Sequence, residues 1–117
     1  MARVDLRPAK LDYRITRGDD FADVVTIKEG EPPAAVDVSG RTFTAQVRRT
    51  ADGEVVAAMS IDMTSAASGE VGYAVADSVT ATMRGTYVWD FQQAIGGVVR
   101  TLMGGKFIVD TDVTRSS

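Results

Sequence analysis

The chain has 117 residues, 25% of them charged, with 13 basic against 16 acidic side chains and neither Cys nor His. This length supports one domain with a modest core, and the missing thiols and imidazoles exclude disulfide stapling, Cys- or His-based nucleophilic catalysis, and zinc ligation through those groups. The formal charge of −3 is dispersed, so no segment offers the concentrated positive field that binding to a phosphate backbone needs; direct nucleic-acid contact is not expected.

In chain order, residues 1–10 come first as an N-terminal arm or added edge strand. Val4 and Leu6 alternate there with Arg3, Asp5 and Arg7, the pattern of an extended segment able to dock on a sheet. The charged start lacks the apolar stretch of a secretory signal, and no run approaches the roughly 20 apolar residues of a membrane-spanning helix. A domain over 11–115 follows, with 116–117 as a tail.

Within that domain the apolar period is two rather than 3.6. In Gly40–Arg49, Phe43, Ala45 and Val47 point one way while Thr42, Thr44, Gln46 and Arg48 point the other, as in a half-buried strand. The same test predicts strands near 11–17, 22–28, 55–63, 70–76, 86–93, 98–102 and 107–111, giving seven or eight in all. Turn residues separate them: Gly18-Asp19-Asp20, Gly30-Glu31-Pro32-Pro33, Ser39-Gly40, Asp52-Gly53, Ser68-Gly69, Gly96-Gly97 and Gly104-Gly105. Asp52-Gly53 is the strongest hairpin signal, and the last two Gly pairs suggest a meander of three final strands. The stretch 29–41 reads as a polar loop, with a partner-facing loop as the alternative. Residues 76–83 predict one short helical turn, capped by Asp77 or Ser78, with Val79 and Met83 sharing its buried face. Short, regularly spaced strands indicate an all-β chain, most economically an antiparallel β-sandwich. Its expected core holds Phe21, Phe43, Val47, Tyr87, Trp89, Phe91, Phe107 and Val109.

Few features suggest chemistry, and no catalytic, cofactor-binding or metal-ligating residue is assigned. Asp110 and Asp112 share a strand face and read as a solvated edge, with a calcium or salt-bridge role as the alternative. Asp19, Asp20 and Asp23 resemble the opening of a calcium loop, but the position where the bidentate acid should stand is Gly30, so they read as a turn whose carboxylates satisfy nearby N–H groups. Gly104-Gly105-Lys106 lacks the spacing of a phosphate-binding loop and a following helix, leaving a tight turn with Lys106 in solvent or blunting an edge. Tyr87, Trp89 and Phe91 occupy one strand face. A stacking platform would want basic neighbours and only Arg84 is close, so core packing is the reading, with the indole and phenol each finding a hydrogen-bond partner. A Tyr just after a short turn also parallels the corner preceding strand F of immunoglobulin-like domains, with Trp89 in the place of the second cysteine.

The order of Arg17-Gly-Asp-Asp-Phe-Ala, Asp37-Val-Ser-Gly-Arg-Thr-Phe-Thr-Ala-Gln-Val-Arg-Arg, Ser68-Gly-Glu-Val-Gly-Tyr-Ala-Val, Ala81-Thr-Met-Arg-Gly-Thr-Tyr-Val-Trp-Asp-Phe and Leu102-Met-Gly-Gly-Lys-Phe-Ile-Val-Asp-Thr-Asp-Val-Thr-Arg resembles the immunoglobulin-like N-terminal domain of tailed-phage baseplate upper proteins and related small tail proteins. The resemblance spans about 11–115. It implies an immunoglobulin-like fold and a non-enzymatic virion component, assembled in the host cytoplasm and acting in multiple copies through contacts with other phage structural proteins, in tail or baseplate. The alternatives are a capsid-surface decoration protein of similar fold, or a stand-alone carbohydrate- or peptide-binding sandwich. By the same resemblance Gly18 and Asp19 match the turn before the first major strand, Gly40 the start of the Phe43 strand, Gly85 and Tyr87 the penultimate core motif, and Phe107 with Val109 the last strand.

Overall fold

A computed structural model describes residues 9–111 of the chain. The expected arm, Arg3 to Arg7, and Asp112 lie outside the described residues. The fold is all-β with mixed sheets, and eleven strands replace the expected seven or eight. They are β1 (Ala9–Lys10), β2 (Tyr13–Thr16), β3 (Phe21–Thr26), β4 (Lys28–Glu29), β5 (Ala34–Ala35), β6 (Thr42–Arg48), β7 (Val55–Ala58), β8 (Ser60–Asp62), β9 (Glu70–Val75), β10 (Gly85–Ile95) and β11 (Val98–Asp110). A 3₁₀ turn covers Ala66–Ser68, and a single helical turn, α1, covers Asp77–Thr80.

The larger sheet runs β1-β11-β10-β6-β7, with β2 also on β11. The smaller runs β3-β9-β8, and β4 with β5 forms a separate hairpin inside the expected polar loop. All pairings are antiparallel except those of β1 and β2, which lie parallel to β11, so the expectation of a wholly antiparallel sheet is corrected at this edge. Parallel pairing is available here because the whole domain intervenes between β2 and β11 and supplies the long crossover it requires.

Three boundaries depart from the expected ones for identifiable reasons. The stretch 55–63 is not one strand: β7 pairs with β6 in the larger sheet, Met59 is buried at the corner with its N–H donated to Ala45 O at 2.8 Å, and β8 continues in the smaller sheet. A strand that changes sheets turns a corner in this way. Gly104-Gly105 is not a turn but lies in mid-strand in β11, where Gly105 is paired with Trp89. A Cβ on Gly105 would overlap Leu11 O and lie 2.5 Å from Asp12 Oδ1, and one on Gly104 would lie 3.0 Å from Trp89 O. The glycines admit close backbone, a use of strand Gly that resembles turn chemistry in sequence. Between β1 and β2 the chain breaks over Gly105, with Leu11 N donating to Gly104 O at 2.9 Å and Lys106 N to Asp12 Oδ1 at 2.8 Å.

The buried residue of α1 is Thr80, and Met83, three residues beyond its end, is fully buried as well, whereas Val79 is 36% exposed. Neither Asp77 nor Ser78 caps it; Ala76 occupies the cap position without a side-chain bond. The cap comes from across the fold, as Asp77 N donates to Asp20 Oδ1 at 2.8 Å. Thr80 Oγ1 donates to Asp19 O at 2.7 Å and accepts from Gly18 N at 3.1 Å, tying α1 to the β2–β3 turn. Those distant bonds hold in place a turn too short to be stable alone.

The two sheets share one core. Every residue expected in it is buried: Phe21, Phe43, Val47, Tyr87, Trp89, Phe91, Phe107 and Val109. Tyr73 from the smaller sheet stacks on Trp89 at 5.6 Å, and Phe21 meets Phe107 edge-on at 5.1 Å. Tyr13 on β2 closes one side, in aromatic contact with Phe21, Trp89 and Phe107. No helix of the described residues is long and apolar enough to cross a membrane.

Candidate functional site

The aromatic stripe on β10 faces the interior. Trp89 Nε1 donates to Leu11 O at 2.7 Å, reaching across Gly105 to the edge of the sheet, and Tyr87 Oη accepts from Arg84 N at 2.9 Å. The Arg49 guanidinium lies 4.2 Å from the Tyr87 ring centre, a cation–π contact on the flank of the same corner. With Trp89 3% exposed and Phe91 fully buried, neither ring is available to stack on a sugar or base.

Among the described residues, the carboxylates singled out in sequence do not converge on one site. Asp110 receives two hydrogen bonds from Arg14 Nη1, at 2.8 and 2.9 Å, on the exposed face of the β2–β11 pair. Asp20 caps α1, while Asp19 acts through its backbone carbonyl. Asp23 accepts from Val24 N at 2.8 Å and from the Tyr13 hydroxyl at 2.6 Å, and Tyr13 shares a further hydrogen bond with Tyr73. This polar clamp joins the two sheets. Burial, followed by the bond to Asp23, pushes the Tyr13 phenol well above its ordinary value, and burial raises Tyr73 as well, so both remain neutral donors. Among the described residues no group of three metal-ligating side chains gathers. Lys106 is exposed within β11 rather than beside a turn.

Sequence reasoning passed over the far end of the β10–β11 hairpin. Core-facing residues of β10 run Tyr87, Trp89, Phe91, Gln93 and Ile95, but burial fails at the last: Ile95 is 47% exposed, and its neighbours across Gly96-Gly97, Val98 and Val99, are 70% and 60% exposed. Ile95 pairs with Val98 and Ala94 with Val99, putting one β-branched pair on one face of the tip and an Ala–Val pair on the other. Under the Ile95–Val98 face lies an open concavity of about 320 Å³, lined also by Glu29, Gln93 and Arg100. Arg41 organises its wall, donating to Glu29 at 2.7 and 3.2 Å and to Gln93 Oε1 at 2.9 Å. That guanidinium holds the Glu29 carboxyl below the usual carboxylate range, and Glu29 raises Arg41 in turn. The available signal was the run Ala-Ile-Gly-Gly-Val-Val: a hairpin turn must face solvent, so uncharged aliphatics flanking one are exposed by construction.

A second perturbed group lies on the outer face of the larger sheet. Asp90, opposite Gln46 and Gly104, is raised by burial, an effect that nearby Arg48 only partly offsets. What the molecule offers chemically is therefore an apolar, β-branched tip over a polar-walled recess, an arrangement suited to side-chain contact with another protein. Comparison with family models and with curated proteins returns no match.

Proposed function

We propose that this chain is a non-enzymatic structural component of a tailed-phage virion, a tail or baseplate subunit that works through protein–protein contacts. The class comes from the resemblance of its ordered turn and strand motifs to the immunoglobulin-like domain of baseplate upper proteins. An immunoglobulin-like sandwich is the reading of the fold that goes with it. The larger sheet has β1 and β2 at one edge, parallel to β11, β3-β9-β8 lies opposite, and the Tyr87 hydroxyl accepts from the backbone N–H of Arg84 just before β10.

The observation that carries the assembly role is the bare aliphatic tip, Ile95, Val98 and Val99, at the end of a strand whose other inward residues are buried. Apolar side chains grouped on a rigid hairpin lose little conformational freedom on docking, so their burial against a neighbour converts efficiently into affinity. Partners on this reading are other phage structural proteins, and the location is the virion. Quantitative mass spectrometry of purified particles, with gold labelling, tests it. The expected result is a small fixed copy number at the tail. A copy number in the hundreds over the head would favour capsid decoration instead, and absence from particles would overturn the virion reading.

A further inference from the structure

β1 enters the larger sheet in parallel with β11 at Ala9 opposite Met103 and Lys10 opposite Gly104. Parallel pairing carries the chain before Ala9 towards lower-numbered residues of β11, that is, along Leu102 to Val98. Among the described residues, this part of β11 has β10 on one side and no strand on the other. It is also where Val98 and Val99 are exposed. We propose that residues 4–8 of this same chain occupy that edge, prolonging β1 in register along Val98–Leu102, with Val4 opposite Val98 and Leu6 opposite Arg100, and adding Val4 and Leu6 to the apolar tip.

Three observations select this occupant. The first is length: the uncovered edge is five residues long and eight residues precede Ala9, so the segment reaches the tip without a linker. The second is the direction of the backbone. Leu11 N donates to Gly104 O, so by strand alternation the N–H of Ala9 is also directed at β11 while that of Lys10 is directed away. In a strand prolonged along this edge the same alternation would direct position 8 outward, where the Pro8 nitrogen, with no N–H to give, is tolerated and discourages addition of a further strand. The third is the pattern: Val4 and Leu6 share one face of an extended segment, and Arg3, Asp5 and Arg7 the other, the charged alternation that keeps an edge from templating aggregation. The occupied edge turns the tip into a surface of side chains contributed by both ends of the domain, so a neighbour meets apolar side chains rather than open backbone. The docking of the arm stands on the pairing geometry; its use in assembly rests on the virion reading.

Hydrogen exchange followed by NMR on the full chain, at low and high protein concentration, tests the arm. Amides of Val98–Leu102 directed away from β10 are expected to exchange about tenfold or more slowly than an open edge would, independently of concentration. The full-length variant Val4→Asp/Leu6→Asp is expected to lose that protection while β3 and β9 keep theirs, so a folding defect is separable from arm release. Protection that appears only as concentration rises would give the edge to a second copy and overturn the proposal, as would unprotected amides in the unaltered chain. Presence in particles is measured independently, so an arm that docks in a protein absent from virions would refute the virion reading alone.

Discussion

The two ends of β10 obey the same alternation and meet opposite fates. At one end Tyr87, Trp89 and Phe91 are no more than 3% exposed, packed under the smaller sheet and anchored by bonds to Arg84 and Leu11. At the other end Ile95 leaves the core nearly half exposed, beside Val98 and Val99. Periodicity assigns a side chain to a face, but only the opposing layer buries it, and β3-β9-β8 ends before the hairpin does. One end of the strand holds the fold together, and the other stands out from the core formed by the described residues.

That contrast is broken most severely at Phe91. Phe91→Ala removes a fully buried ring in contact with Phe43 and Tyr73, and chemical denaturation should record a loss of about 3–5 kcal/mol. Gly105→Ala comes next. Its methyl group meets the Leu11 carbonyl and the Asp12 carboxylate, neither of which moves without disturbing the β1–β2 edge, and the expected cost is about 1–3 kcal/mol, with a red shift of Trp89 emission relative to the unaltered protein expected as the indole gives up its bond to Leu11.

Asp90 gives a smaller effect with a diagnostic pH dependence. Burial raises its folded carboxyl above the unfolded value, so the folded state holds the proton more tightly and stability falls as pH rises through that interval. Asp90→Asn should therefore stabilise the protein at neutral pH, and the gain should disappear at acid pH, where the aspartate is protonated in both states; thermal melts at pH 3 and pH 7 check this. Least of all should Val98→Ser/Val99→Ser alter stability, with an expected change within about 0.5 kcal/mol because both side chains are mostly exposed. A large loss on unfolding would show that the tip belongs to the core after all.

Much of this architecture is legible in the chain. The alternation of 43, 45 and 47 and of 87, 89 and 91 locates the central strands and their buried face, and Asp52-Gly53 and Gly96-Gly97 mark real hairpins. Features set by distant backbone are not legible. Gly104-Gly105 has the composition of a turn, and only the approach of Leu11 and Asp12 shows that the pair serves mid-strand. The cap of α1 lies 57 residues away in sequence, at Asp20, so Asp77 and Ser78 were plausible on local grounds and went unused. The division of 55–63 between two sheets depends on where Met59 finds Ala45. The candidate site was half visible: a Gly-Gly turn between aliphatic pairs announces an exposed apolar tip, whereas its recess needs Glu29, Arg41 and Arg100 brought together from three separate stretches.

The assembly account is tested most directly by incorporation of Val98→Ser/Val99→Ser into particles, measured by quantitative mass spectrometry against the unaltered protein in the same preparation. A variant that folds and melts normally yet is depleted at least about tenfold from particles, as expected when two docking side chains lose their apolar burial, is the predicted result. Incorporation of the folded variant at the level of the unaltered chain would contradict the claim that this tip is where the protein meets its neighbours.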